Sequence, residues 1–312
     1  MNKLLVLTPK ADVYATLLKG LNLSGVEIDF AATLEEGRRF VSGAVIILGV
    51  PTMVAELLPK AEQLLWVQST FAGIEALCVT GMRRDYLLTG VKGVFGPLMS
   101  EYVLAYILAL ERHLFEIRQN QIDKYWKEIA YGSLKDLTLG ICGLGSIGRH
   151  IAQTAACFGM RVLGFKRSRE KIQFVDRVYP FDKFYDFLKE PDYVVVTLPL
   201  TRETKHLFTT EAIKRMKPSA VLINIGRGPI VVESDLIRAL ENRTIRGAVL
   251  DVFENEPLST KNSLWKLPNA IITPHNAGVS FPKDIVKIFR DNYDLFQKNR
   301  TLNFVVDFDK GY

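Results

Sequence analysis

Short runs of apolar, largely β-branched residues alternate with helical stretches along almost the whole chain, and this alternation restricts the fold more than any other feature. A strand can pair in parallel with its successor only through a long crossover, which a helix supplies. The early runs cover residues 3–7, 45–48 and 65–68. A second series covers residues 138–142, 161–165, 193–197, 221–225, 247–250 and 270–272. Such unbroken apolar runs suit strands covered by helices on both faces. Two series within 312 residues predict two α/β domains, each with a doubly wound parallel sheet. The first joint is expected at Phe95-Gly96-Pro97 and the second near Ser280-Phe281-Pro282, which gives domains 1–98 plus 282–312 and 99–281.

Composition excludes several classes. Apolar residues are 48% and charged residues 24%, the balance of an ordinary globular protein. No apolar stretch approaches the roughly 18 residues that span a bilayer, and the N-terminal run reads as a strand rather than a secretory signal. Cys78, Cys142 and Cys157 are scattered and odd in number, so they are expected to be buried free thiols in a reducing compartment, the cytoplasm. The net charge of +6 comes without any basic run, which argues for attraction of small anions and against nucleic acid. No metal site is expected.

The run at 138–142 leads into Gly143-Leu144-Gly145-Ser146-Ile147-Gly148 and then into a helical stretch, with the next strand close behind. Strand, glycine turn and helix together mark a dinucleotide site. The first glycine makes the tight turn, the second admits the pyrophosphate, and the third lets helix pack on strand. Helix N-terminal amides then hold the phosphate charge. At the end of the second strand, where an NAD site wants an acid, stand Lys166, Arg167, Ser168 and Arg169. Three cations and a hydroxyl predict NADP(H) as the preferred cofactor, with NAD(H) still possible. Asp176 lies too far downstream to serve as the missing acid.

Three more strand ends carry reactive groups. Residues 221–225 run into Gly226-Arg227-Gly228, where flanking glycines would let Arg227 face a ligand. Residues 247–250 run into Asp251 and Glu256, and residues 270–273 into Pro274-His275. Strand carboxyl ends are where α/β folds build their sites. The other histidines read more plainly: His113 as structural, His150 as a solvated helix residue, and His206 as a surface group within reach of a cofactor. Residues 99–113 are apolar on nearly every side and are expected as a helix buried between the domains. Residues 119–133, with Tyr125, Trp126 and Tyr131, read either as an arm that packs on a second subunit or as a surface excursion, and the arm is favoured because aromatics suit an interface.

These residues resemble the D-isomer-specific 2-hydroxyacid dehydrogenases over nearly the whole chain, in the branch of glyoxylate/hydroxypyruvate reductases. The resemblance rests on 69–73, 99–103, the glycine turn, 198–200, 224–228, 251–257 and 273–275. It implies a Rossmann NAD(P)-binding domain, a flavodoxin-like substrate domain and a homodimer. It places Arg227, Glu256 and His275 in the catalytic triad, with Arg227 and His275 also binding substrate. Phe71, Ala72 and Gly73 would line the substrate site, the last two offering backbone amides to a carboxylate. Gly143, Gly145, Ser146, Ile147, Gly148, Lys166, Arg167, Ser168, Leu198, Pro199, Thr204, Ile225 and Asp251 would contact the cofactor, Asp251 through the nicotinamide amide. The sequence departs from the pattern at Glu75, where the loop usually has Asp, and at Asn276-Ala277-Gly278. The implied activity is reduction of small 2-oxo acids to D-2-hydroxy acids, with His275 as general acid and Glu256 favouring its cation. Glu256 also argues against a formate dehydrogenase, which has glutamine there. The rival from another class is a non-catalytic, dinucleotide-sensing binding protein of the same fold.

Overall fold

The computed structural model describes residues 1–21, 23–168 and 170–309. They form two units, Met1–Val94 with Ser280–Tyr312, and Phe95–Val279. The first break falls before the expected 98/99 joint because the helix Gly96–Glu111 already begins there, with Pro97 in its first turn. Proline fits that position since its missing N–H has no partner to lose.

The first unit holds strands β1 (Asn2–Leu7), β2 (Val26–Ala31), β3 (Ile46–Gly49), β4 (Trp66–Ser69) and β5 (Leu87–Thr89). They pair in parallel in the order β2-β1-β3-β4-β5, the flavodoxin-like order. The helix Pro282–Gln297 belongs to this unit. Phe289 stacks on the fully buried Trp66 at 5.2 Å, and the Asn292 amide donates to Gln68 at 3.1 Å.

The second unit holds β6 (Thr138–Cys142), β7 (Arg161–Phe165), β8 (Arg177–Tyr179), β9 (Tyr193–Val196), β10 (Val221–Asn224), β11 (Gly247–Leu250) and β12 (Ala270–Ile272). Their order is β12-β11-β10-β9-β6-β7-β8, all parallel. The direction of winding reverses between β6 and β9, the switch point where doubly wound sheets open a ligand crevice. Apolar clusters cover both faces, one around Phe165, Phe187 and Phe208, the other around Ile141, Val195 and Ile223.

Three strands absent from the sequence reading, β2, β5 and β8, all lie at sheet edges. Edge strands are exposed on one side, so they can be short or polar and lose the unbroken apolar signature. Nor are the thiols uniformly buried: Cys142 is, with its thiol pushed up by burial, whereas Cys78 is half-buried and Cys157 exposed. No described helix is long and apolar enough to cross a membrane.

Candidate active site

The glycine turn has the geometry its sequence demands. Gly143 adopts φ +104°, a conformation side chains rarely take. A Cβ on Gly148 would stand 2.0 Å from the Gly143 carbonyl oxygen, so only glycine allows helix Ser146–Cys157 to start there. At Gly145 a Cβ would meet nothing within 4 Å, and Gly145 and Ser146 are exposed. That open, amide-lined helix start fits a pyrophosphate. Two residues outside the sequence reading lock the turn. The Thr197 hydroxyl donates to Gly143 at 2.7 Å, and Arg149 Nε to Leu144 at 3.1 Å.

Beyond β7 the expectation of a turn free of carboxylates needs correction. Lys166 pairs with Glu170, which also takes Arg149 at 2.6 Å, and Arg167 pairs with Glu203 from a loop after β9. Glu170 lies one residue past the basic run, and Glu203 arrives through the fold. Ser168 is exposed, and Arg169 lies outside the described residues. Asp176 is occupied elsewhere, accepting the Val162 amide at 2.7 Å. Leu198 and Pro199 are half-buried and Ile225 buried. The Thr204 hydroxyl donates to the Pro199 carbonyl at 2.7 Å and accepts from Thr201, so it shapes the loop from within.

Arg227, Glu256 and His275 follow three adjacent strands, β10, β11 and β12. The Glu256 carboxylate oxygen Oε2 lies 2.7 Å from His275 Nδ1, while its Oε1 accepts the Phe253 amide at 3.0 Å. Held at both oxygens, the carboxylate aligns the imidazole and leaves Nε2 to point away from it. Arg227 is half-buried, with Nη1 donating to Gly226 at 2.7 Å. Protein backbone lies against both of its flanking glycines. A Cβ on Gly226 would stand 2.9 Å from the Leu198 oxygen, and one on Gly228 1.8 Å from the Phe253 oxygen. The Arg227 turn is thereby pressed onto the loop that carries Glu256.

Asp251 is 1% exposed, and its carboxylate accepts three hydrogen bonds from the segment around His275. They come from the Thr273 hydroxyl at 2.5 Å and from the Asn276 and Ala277 amides, each at 2.9 Å. A carboxylate has about four acceptor positions, so roughly one remains. This use of Asp251 had no local signal, since its partners lie more than twenty residues away.

The remaining histidines separate clearly. His113 joins two helices in a left-handed conformation, φ 53°, and His206 is exposed. His150 is not a solvated residue: its Nδ1 lies 2.7 Å from the Ser100 hydroxyl, against the helix Gly96–Glu111. In the first unit Phe71 and Ala72 are exposed just beyond β4, where the Ser69 hydroxyl donates to the Phe71 carbonyl at 2.6 Å. Among the described residues no group of three or more His, Cys, Asp or Glu could hold a metal ion.

Residues 104–277 match the family described as D-isomer specific 2-hydroxyacid dehydrogenase, NAD binding domain. The chain is 32% identical over 248 residues to glyoxylate/hydroxypyruvate reductase A of Photorhabdus laumondii, covering 77% of this chain and 79% of that protein. It is similar to a solved D-isomer specific 2-hydroxyacid dehydrogenase family protein from Aeromonas salmonicida, with TM-score 0.95, 44% identity and 99% of both chains covered. It is similar also to the NADPH-dependent glyoxylate/hydroxypyruvate reductase of Sinorhizobium meliloti, solved with NADP and sulfate, with TM-score 0.91, 28% identity and 100% of both chains covered.

Proposed function

The chain belongs to the D-isomer-specific 2-hydroxyacid dehydrogenase family, and from that premise we propose an NADPH-preferring reductase of small 2-oxo acids, glyoxylate or hydroxypyruvate in type, with His275 as proton donor. The observation that carries this reading is the 2.7 Å His275–Glu256 pair beside the Arg227 turn, at the carboxyl ends of three neighbouring strands.

A bound nicotinamide dinucleotide supplies the hydride. The open helix start at Gly145 and Ser146 would hold its pyrophosphate, with Ile147, Leu198, Pro199, Thr204 and Ile225 along its path. Lys166, Arg167 and Ser168 would hold a 2′-phosphate, and the last acceptor position of Asp251 the nicotinamide amide. Phosphate must then take the cations from Glu170 and Glu203, so those carboxylates moderate the preference for NADPH. In the first unit we assign the turn 71–73 to the substrate carboxylate.

As a 2-oxo acid is reduced, negative charge grows on its carbonyl oxygen. The guanidinium of Arg227 holds the carboxylate and carbonyl oxygens and stabilises that charge. Protonated His275 donates from Nε2, while its Nδ1–H donates to Glu256, which fixes the ring and stabilises the imidazolium. The His275 side chain is 53% exposed, which leaves the donor open to substrate and to reprotonation by water. For the reverse oxidation the neutral ring takes the proton back.

We also propose a homodimer, supported by the exposed row Leu114, Phe115, Ile117, Ile122, Tyr125 and Trp126. Contiguous apolar surface of this kind marks a protein partner more often than bare solvent.

NADPH oxidation with glyoxylate, hydroxypyruvate and a series of bulkier 2-oxo acids tests the reading. Turnover should be highest with the small acids. His275→Ala should lower kcat by roughly two to four orders of magnitude, the usual worth of a general acid. Tight NADPH binding without turnover on any 2-oxo acid would favour the dinucleotide-sensing alternative instead.

A further inference from the structure

We propose that Tyr102 is a positioning residue for the reaction, the outer end of a hydrogen-bond relay, Tyr102–Thr273–Asp251, that holds the loop presenting His275. The inference rests on His275 being the proton donor and concerns how that donor is kept in place.

Tyr102 lies in the second turn of the helix Gly96–Glu111, and its hydroxyl oxygen is 2.6 Å from Thr273 Oγ1. Thr273 Oγ1 is in turn 2.5 Å from the buried Asp251 carboxylate. The donors along this chain follow from counting protons. A carboxylate can only accept, so the single Thr273 proton goes to Asp251. Thr273 must then accept, and Tyr102 must donate. Burial, with the Asp251 charge adding to it, pushes the Tyr102 phenol well above its usual range, so the proton it needs is retained.

The relay ends where restraint is needed. His275 has φ 52°, a left-handed conformation uncommon for a residue with a side chain. Anchors stand on both sides of it. Before it, Thr273 is fixed through its amide to Leu250 at 2.9 Å and through its hydroxyl to Asp251. After it, the Asn276 and Ala277 amides end on the same carboxylate. Asp251 therefore gathers both flanks of the loop, and Tyr102 sets the rotamer of the hydroxyl that reaches it. The same helix supports the loop a second time, since a Cβ on Gly278 would stand 2.7 Å from Met99 Cε. With the relay intact, His275 Nδ1 meets Glu256 and Nε2 is presented in one orientation. Without it, Thr273 is free to turn and the ring samples positions that cannot donate.

The decisive set is Tyr102→Phe, Thr273→Val, Thr273→Ser and the double Tyr102→Phe/Thr273→Val, assayed as full-length enzyme with NADPH and the best 2-oxo acid. Tyr102→Phe should lower kcat about tenfold, the scale of one hydrogen bond linked to a charge, with both KM values and the thermal midpoint little changed. Thr273→Val should lose at least as much, Thr273→Ser should recover most of it, and the double variant should be no worse than Thr273→Val alone. Wild-type kcat in Tyr102→Phe, or losses that multiply in the double variant, would overturn the relay. If Tyr102→Phe does not fold, the comparison of Thr273→Val with Thr273→Ser decides: equal kcat in the two overturns it, and recovery in Ser supports it. A fully active His275→Ala separates the two claims, because it overturns the assignment of the proton donor whatever Tyr102→Phe does.

Discussion

Arg167 shows how a single contact can revise the reading of a single residue. Its charge and its place after β7 are legible in the sequence and point to a phosphate. Its partner Glu203 is not, because 36 residues separate them and only the packing of the loop after β9 brings them together. The pair is more than half exposed on each side, so solvent screens it and the carboxylate can be displaced. Phosphate offers Arg167 a doubly charged partner, whereas the carboxylate carries a single charge. Arg167→Glu should therefore raise the KM for NADPH roughly tenfold or more while that for NADH moves little. Glu203→Gln should act oppositely, lowering the KM for NADPH a few-fold, the scale of an exposed ion pair. Steady-state kinetics with both cofactors reads both variants, and equal changes for NADPH and NADH would remove the 2′-phosphate assignment. Asp251 carries the same lesson: its place at a strand end is visible in the sequence, whereas its three loop partners are not.

At the scale of elements, the glycine turn was legible because everything it requires is local: strand, turn and helix start lie within a dozen residues. Its strictest requirement is at Gly148, where a Cβ would collide with backbone rather than with a side chain that could yield. Gly148→Ala should cost roughly 1–3 kcal/mol of stability if the helix can shift, lowering the thermal midpoint, and should weaken dinucleotide binding as the helix start moves off the turn. Calorimetry with and without NADPH measures both, and unchanged binding would show that the helix start tolerates displacement. The helix Gly96–Glu111 was read less well. Its sequence is apolar almost all round, yet the fully buried positions Gly96, Ser100, Val103, Leu104 and Ile107 follow one helical stripe. The polar member, Ser100, bonds His150, and a Cβ on Gly96 would lie 2.9 Å from the His150 ring. Apolarity indicates that a helix is covered, but not which neighbour covers it, so His150 read as solvated.

For the whole molecule, the expectation that depends on a second chain is the assembly. Trp126 is 95% exposed and Tyr125 61%, with Phe115 at 55%, a large apolar surface for one chain to leave in water. Trp126→Glu should convert a dimer into single chains, read by sedimentation or light scattering; a wild-type chain that sediments alone would refute the dimer directly. The alternation of strands and helices, the glycine turn and the residues at the ends of β10, β11 and β12 were all determined by the sequence itself. Each depends on residues close together in the chain, whose periodicity and backbone demands are local. The tertiary structure alone decided which carboxylates meet the basic turn, what Asp251 holds, and that Tyr102 reaches the loop that carries His275. Those contacts join residues from different elements, and their geometry is set by how side chains fill space between strands rather than by any spacing along the chain.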